Sequence, residues 1–357
     1  MNHEPLTPMH KILFTLLACA ALLTSCDESP YFPEASGRPY EVLVVMDTKT
    51  WKAPTGRALF DVLDTDVPML PQSERSFRIS QSNPQDFNRV LNIFRNIIIV
   101  NINDKEFTRT RIKYKMNKWA RNQLVMTINS PSASEFVVFC QEHKQEIIDF
   151  ITKMEMNRLI VELRKQHSKR ASELAKEIFD CELWAPKELA SWKKGKDFMW
   201  VSNDAASGHM DIVVYSYPYE GPETFNKRYV CWKRDSVMEK NLTGERPGMY
   251  MTTDTLCTAV KPIVVHGKFA YEMRGLWVMK GDCMGGPFVS FSRVDEENNR
   301  VIVAEGFVYA PEKMKRGLIR RLEGALYTLK LPEEQYTVAI TPELAAEEET
   351  EEETSKK

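Results

Sequence analysis

Most of the short signatures that announce an enzyme are missing from this chain. It contains no GxxxxGK(S/T) phosphate loop, no GxGxxG, no HExxH and no GxSxG. That leaves no sequence ground for a nucleotide, dinucleotide or zinc-peptidase site, or for an elbow-type serine hydrolase. Histidine is scarce: past the first segment only His143, His167, His209 and His266 remain, none at metal-ligand spacing, so no metal or other cofactor is implied. An excess of charge of one sign is missing too. The net charge is −2, and the tail Glu343 to Lys357 carries seven Glu against two Lys, which leaves the rest of the chain at +3. A nucleic-acid partner would need a concentrated basic patch, so none is expected. Downstream of Cys26 there is no apolar run of ~18 residues, so no later helix would span a bilayer.

What is present begins with Lys11 to Cys26, KILFTLLACAALLTSC. A basic start leads into an apolar run, Ile12 to Leu23, too short for a membrane span of ~20 residues but in proportion for the core of a secretory signal. Leu23-Thr24-Ser25-Cys26 resembles the lipobox of bacterial lipoproteins. The resemblance implies a cut before Cys26, lipidation of its sulfur and acylation of the new amino terminus with a chain such as palmitate. Each buried CH₂ contributes about 0.8 kcal/mol, so several chains together make a lasting tether. Residues 1–25 therefore read as signal peptide and residues 26–38, with Pro30, Pro33 and Gly37, as an exposed tether. Asp27-Glu28 stands where lipoprotein sorting signals act. The expected location is the bacterial cell envelope, lipid-anchored at the outer membrane and facing the periplasm or the surface.

About 330 residues follow the cut, a length that favours two domains. An apolar content of 43% and a charged content of 27% are those of a globular chain with a sizeable core. Five cysteines remain, Cys140, Cys181, Cys231, Cys257 and Cys283. Without CxxC spacing they read mostly as buried free thiols, with a Cys257–Cys283 bridge as the alternative.

Residues 39–131 read as a first α+β lobe. Strands are expected at Glu41 to Met46, Phe77 to Gln81, Ile97 to Val100, Arg109 to Lys118 and Gln123 to Asn129, with a helix from Pro54 to Asp64. Asn83-Pro84-Gln85-Asp86 carries the marks of a helix start, and Phe87, Val90, Leu91 and Phe94 follow at helical spacing. Ser132-Ala133-Ser134-Glu135 is a capping box. It opens a long apolar-striped stretch to Ile178, so residues 132–180 read as a connecting helix with a weak point at Gln166-His167-Ser168.

The second lobe, residues 181–332, reads as a meander of strands at 198–202, 211–217, 249–252, 262–265, 271–280, 288–294 and 300–309. Helices are expected from Pro222 and Pro311, the latter with Lys313, Lys315, Arg316, Arg320 and Arg321 on its outer face. The stretches Pro84-Gln85-Asp86-Phe87-Asn88 and Pro222-Glu223-Thr224-Phe225-Asn226 hint at a repeated strand-and-helix unit. Residues 333–357 read as an acidic disordered tail. The fold class is α+β, with two sheet-and-helix lobes of mixed and antiparallel sheets joined by a long helix.

The most unusual segment is Lys280-Gly281-Asp282-Cys283-Met284-Gly285-Gly286-Pro287. Three glycines within six positions imply special backbone angles or a close approach. Asp282 and Cys283 make it a candidate nucleophile loop, for which His209 or His266 would have to supply the base. The plainer reading is a shaped turn with a passenger cysteine. Glu272 and Glu305 could form a carboxylate pair, although their strand positions suit an exposed face. Seven tryptophans could build a sugar-stacking groove, but they are scattered, and Trp232 and Trp277 fall on expected core faces.

The lipobox, Gly37 to Val45, Asp86-Phe87-Asn88 and the block from Gly281 to Pro311 together resemble bacterial lipoproteins of domain of unknown function 4837, over most of the mature chain. The resemblance implies one exported unit and transfers no catalytic residue. The leading expectation is a non-enzymatic envelope module, held to the membrane by its lipid, that binds an envelope protein or other ligand. A hydrolase using Cys283 and a glycan-binding surface lipoprotein are the alternatives.

Overall fold

The computed structural model describes residues 32–205 and 208–334 and the backbone of Ala346–Glu348. The segment read as a signal peptide, Cys26 and most of the acidic tail lie outside the described residues. The protein is α+β, with two lobes that each carry a sheet.

In the first lobe, β1 (Glu41–Val45) is flanked in parallel by β2 (Arg78–Ser82) and β3 (Asn96–Ile102). Next to β3 comes β5 (Leu124–Ser130), also parallel, and then β4 (Arg111–Met116), antiparallel to β5. The run of β-branched residues in β3 reflects burial near the middle of this sheet. Helices α1 (Thr48–Lys52), α2 (Pro54–Leu63), α3 (Ala133–Glu142) and α4 (Lys144–Lys165) follow in this half of the chain. Residues of α2, α3 and α4 pack on one sheet face, around Val42, Val44, Ile98 and Met126. Against the other face, Leu43, Val45, Ile97 and Val125, pack the partly buried Phe87, Leu91 and Phe94 of a loop, with Ile99 and Trp119. The described piece of the tail, Ala346–Glu348, lies parallel beside β4.

The second lobe is a seven-stranded antiparallel sheet in the order β6 (Ser191–Gly195), β7 (Phe198–Ser202), β8 (His209–Pro218), β12 (Arg300–Tyr309), β11 (Gly285–Asp295), β10 (Lys268–Met279), β9 (Met251–Val265). α5 (Lys169–Phe179) and α7 (Arg316–Leu326) pack on one face and α6 (Lys227–Asn241) on the other. The expected strands at 249–252 and 262–265 are one strand, β9, which slips register at Gly275/Leu276 of its partner β10. Edge strand β6, SWKKG, carries no apolar alternation and gave no sequence signal.

Several expected helices are reshaped. The long connector is three helices, α3, α4 and α5. The break at Gln166 to Ser168 falls where the pattern weakened, and Ser168 caps α5 by accepting from Ala171 N. The helix expected from Asn83 is a 3-10 turn, Pro84–Asp86, followed by one isolated helical turn at Asn88 to Asn92. Its continuation is prevented because neighbours take the backbone groups it needs. Ser36 N donates to Ile93 O, Arg95 N to Ser36 O, and the Gln123 amide to Phe94 O at 2.7 Å. Pro222–Phe225 is likewise a 3-10 turn, but there Asn226 accepts from Tyr229 N and α6 proceeds. The repeat therefore holds for strand and turn and fails at the helix.

α7 begins at Arg316 rather than Pro311. Its cap comes from the other lobe: the Glu74 carboxylate accepts from Lys315 N at 2.7 Å and Arg316 N at 2.8 Å. A carboxylate on the free N–H groups of a helix start is favoured by both hydrogen bonding and the helix dipole. α7 also meets α4 closely, since a Cβ on Gly324 would stand 2.5 Å from Leu159 Cδ2. It is the joint between the lobes.

Candidate functional site

Between the lobes lies a cleft of about 730 Å³, within the range that holds a small ligand. One wall is a face of α4, where Ile148, Thr152, Met156 and Ile160 recur at helical spacing. The facing wall is the β9–β10 hairpin, from Lys261 through His266 to Phe269. Val264 and Phe269 there are about half exposed, at 56% and 49%.

The floor is charged. β10 contributes Glu272 and Arg274, and α7 contributes Arg320 and Glu323. Arg274 Nε donates to Glu272 at 2.9 Å and its other nitrogen to Glu323, while Arg320 donates to Glu323 at 3.0 Å. Lys261 Nζ stands 3.7 Å from Glu272. Burial pushes the Glu323 carboxyl up, but Arg274 and Arg320 outweigh it and hold the group below its ordinary value. A carboxylate locked between two guanidinium groups is a poor proton acceptor, so the floor is built to hold charge in place. Two buried polar atoms of the lining, Thr152 Oγ1 and Arg320 Nε, have no hydrogen-bond partner. Such atoms are uncommon in folded proteins.

The structure separates Cys283 from His266, one of the two bases that the sequence offered for it. Cys283 is exposed in the tight β10–β11 turn, where Met279 N donates to Met284 O and Asp282 N to Met279 O. The Asp282 carboxylate bonds the backbone N–H of Cys283 at 2.5 Å. His266 sits at the opposite end of β10, a 12-residue strand that spans roughly 40 Å at the usual rise. Its ring is engaged by Glu334 at 3.2 Å and Tyr327 O at 2.8 Å. His209, at the start of β8, lies two strands from β11 on the same end of the sheet as Cys283, with its ring against Tyr309. Cys283 does not line the interlobe cleft.

Glu272 and Glu305 do not form a pair, and neither is exposed. They occupy opposite faces of the sheet, at 4% and 0% exposure. Glu305 is matched by Arg234 of α6 through bonds of 2.7 to 3.0 Å, and Arg234 also donates to Thr253 and lies 4.1 Å over the Phe288 ring. Arg320 and Lys315, expected on the outer face of the last helix, are buried against the first lobe. The signal that could have found these sites is the strand alternation itself. It places Glu305 in phase with Val301, Val303 and Phe307, all of them core residues.

All five cysteines are free. Burial pushes the Cys140 and Cys181 thiols up to about 12, which keeps them protonated. Among the described residues no group of three or more potential ligands could hold a metal ion. Trp277 is buried, whereas Trp232 is 59% and Trp192 46% exposed. These two stand on α6 and β6, Trp192 under the Arg170 guanidinium, and form no common groove.

Residues 168–328 match the family model described as domain of unknown function DUF4837, the family that the Gly281 to Pro311 block resembles. Residues 35–164, which hold Gly37 to Val45 and Asp86 to Asn88, match a separate model, domain of unknown function DUF8532. The two matches meet at the break between α4 and α5. No curated protein matches the chain.

Proposed function

We propose that this chain, a DUF4837 domain preceded by a DUF8532 domain, is a lipid-anchored lipoprotein of the bacterial envelope that works by binding, with the interlobe cleft as its binding site. The observation that carries the binding reading is the cleft itself. Two separately matched domains meet around about 730 Å³ lined by an apolar helix face, a partly exposed hairpin and an ion-paired floor. A ligand with an apolar body and a polar or charged end fits that lining. The Lys11 to Cys26 segment supports the anchor.

The test uses two kinds of variant in the producing cell. Lys153→Trp and Val264→Trp fill the cleft from positions that are not fully buried, so the fold is retained. The expected result is that each reproduces the phenotype of a deletion at normal protein level, while Cys283→Ala behaves as wild type. Loss of function in Cys283→Ala, with both tryptophan variants active, would instead support a cysteine-dependent enzyme. Metabolic labelling with an alkyne fatty acid, present in wild type and lost in Cys26→Ala, tests the anchor.

A further inference from the structure

The first sheet has one face under helices and one under a loop, and the loop-covered face is where the chain comes in from Cys26. Pro33 O accepts from Arg121 N at 2.7 Å, Ala35 N donates to Arg121 O at 3.0 Å, and Ser36 N donates to Ile93 O at 2.8 Å. The incoming strand is thus sewn between two turns, residues 88–95 and 117–122. Five residues separate Cys26 from Phe32, the first described residue, so this face stands within about 20 Å of Cys26 even with that segment fully extended.

The side chains of these turns suit a lipid surface. Val90 is 73% exposed on its turn. Phe87 and Trp119 meet edge to face at 5.6 Å. The Lys118 ammonium lies 4.8 Å over the Trp119 ring. Arg89 and Arg121 are exposed on the same two turns. Nearby, Glu34 pairs with Arg121 at 3.0 Å, and the Asp86 carboxylate accepts from the neutral Asn83 amide at 2.8 Å. Tryptophan and apolar side chains flanked by Lys and Arg are the residue types that settle at the headgroup level of a bilayer.

We propose that this face lies against the anionic lipid leaflet that holds the Cys26 anchor, with Val90 and Trp119 at the headgroup level and Lys118 and Arg89 toward anionic headgroups. The inference rests on the lipoprotein reading. The contact orients the body and leaves the interlobe cleft, on the helix-covered side of the sheet, open to the aqueous phase.

The experiment uses the full-length protein purified from its producing cells and reconstituted in vesicles of phosphatidylethanolamine and phosphatidylglycerol. A photo-crosslinking amino acid replaces Val90 in one variant and Val138, 49% exposed on α3 across the sheet, in another. Phospholipid adducts at position 90 are expected to exceed those at 138 by at least about fivefold, and to fall by at least about twofold in phosphatidylcholine vesicles or at high salt. Equal adduct yields at the two positions, a yield at 90 that ignores headgroup charge and salt, or crosslinking at 90 to a second copy of the chain would overturn the inference. Mass spectrometry of the same sample reports whether Cys26 carries acyl chains. Failure of the anchor is thereby distinguished from failure of the docking face.

Discussion

The two lobes are both sheets with helices, yet they treat charge differently. The second sheet is covered by helices on both faces, and ion pairs are buried on each: Arg234 with Glu305 under α6, Arg274 with Glu272 and Glu323 beneath the cleft. The first sheet is covered by helices on one face only. On its loop-covered side are four buried core side chains, with Arg89 and Arg121 exposed there, and its buried cluster, Arg95 and Arg158 on Glu155, takes its carboxylate from α4. A charge can be held away from water only where a second layer supplies its partner. A face without that layer is left for contact with something else.

The contrast can be broken most severely at Arg234. Arg234→Ala leaves Glu305 charged in a dry core and is expected to cost about 3–5 kcal/mol in urea unfolding. The double replacement Arg234→Met with Glu305→Leu should recover most of that loss. An undiminished loss in the double variant would show that the pair holds α6 in place by more than charge matching.

The second lobe should also be the more sensitive to acid. Burial alone would push Glu334 up, but donors from His266 and Arg293 hold it at about 2. Because the folded value lies below the unfolded one, the stabilisation is present above about pH 4.5 and is lost as pH falls toward 2. It amounts to about 3 kcal/mol, taken from the size of the shift. Glu334→Gln should flatten the stability profile over that window.

Asp211 runs the other way. Burial pushes it up to about 6, against donors from Ser202 and Trp200 Nε1, the latter at 3.0 Å. Its folded value lies above the unfolded one, so stability falls as pH rises between about 4 and 6 and the penalty is complete at pH 7. Asp211→Asn keeps an acceptor for Trp200. It should raise stability at pH 7 by up to about 3 kcal/mol and remove that slope. An unchanged slope would place the titration elsewhere.

The smallest expected effect concerns the joint. Glu74→Ala removes the cap that the first lobe gives to α7, at a cost of about 1–2 kcal/mol. Limited proteolysis near residues 311–316 should speed up. If neither changes, α7 is held by its apolar face alone.

Much of the second lobe was legible because its signals are local. Arg300–Tyr309 is the strand that the alternation gives, and the polar stretch after Asp295 is its hairpin turn. The N-cap read at Ser132 is there, accepting from Glu135 N. The first lobe misled at Asn83 to Phe94, where every local mark of a helix is present and the chain makes a single turn. The cleft was not legible at all, since α4 and the β9–β10 hairpin come together from stretches about a hundred residues apart and α7 joins them from about fifty residues further on.

Periodicity and capping residues determined by themselves the α+β class, most strands, the break at Gln166 to Ser168 and the mostly buried thiols, because each depends on neighbours within one or two turns of chain. Only tertiary structure decided where charge could be buried, where the helix after Asn88 had to stop and where α7 begins. In each case the deciding hydrogen-bond partner, Arg234 for Glu305, Ser36 for Ile93 and Arg95, Glu74 for Arg316, comes from far along the chain. A backbone or carboxylate group removed from water must find such a partner, and no local pattern can say which distant residue will provide it.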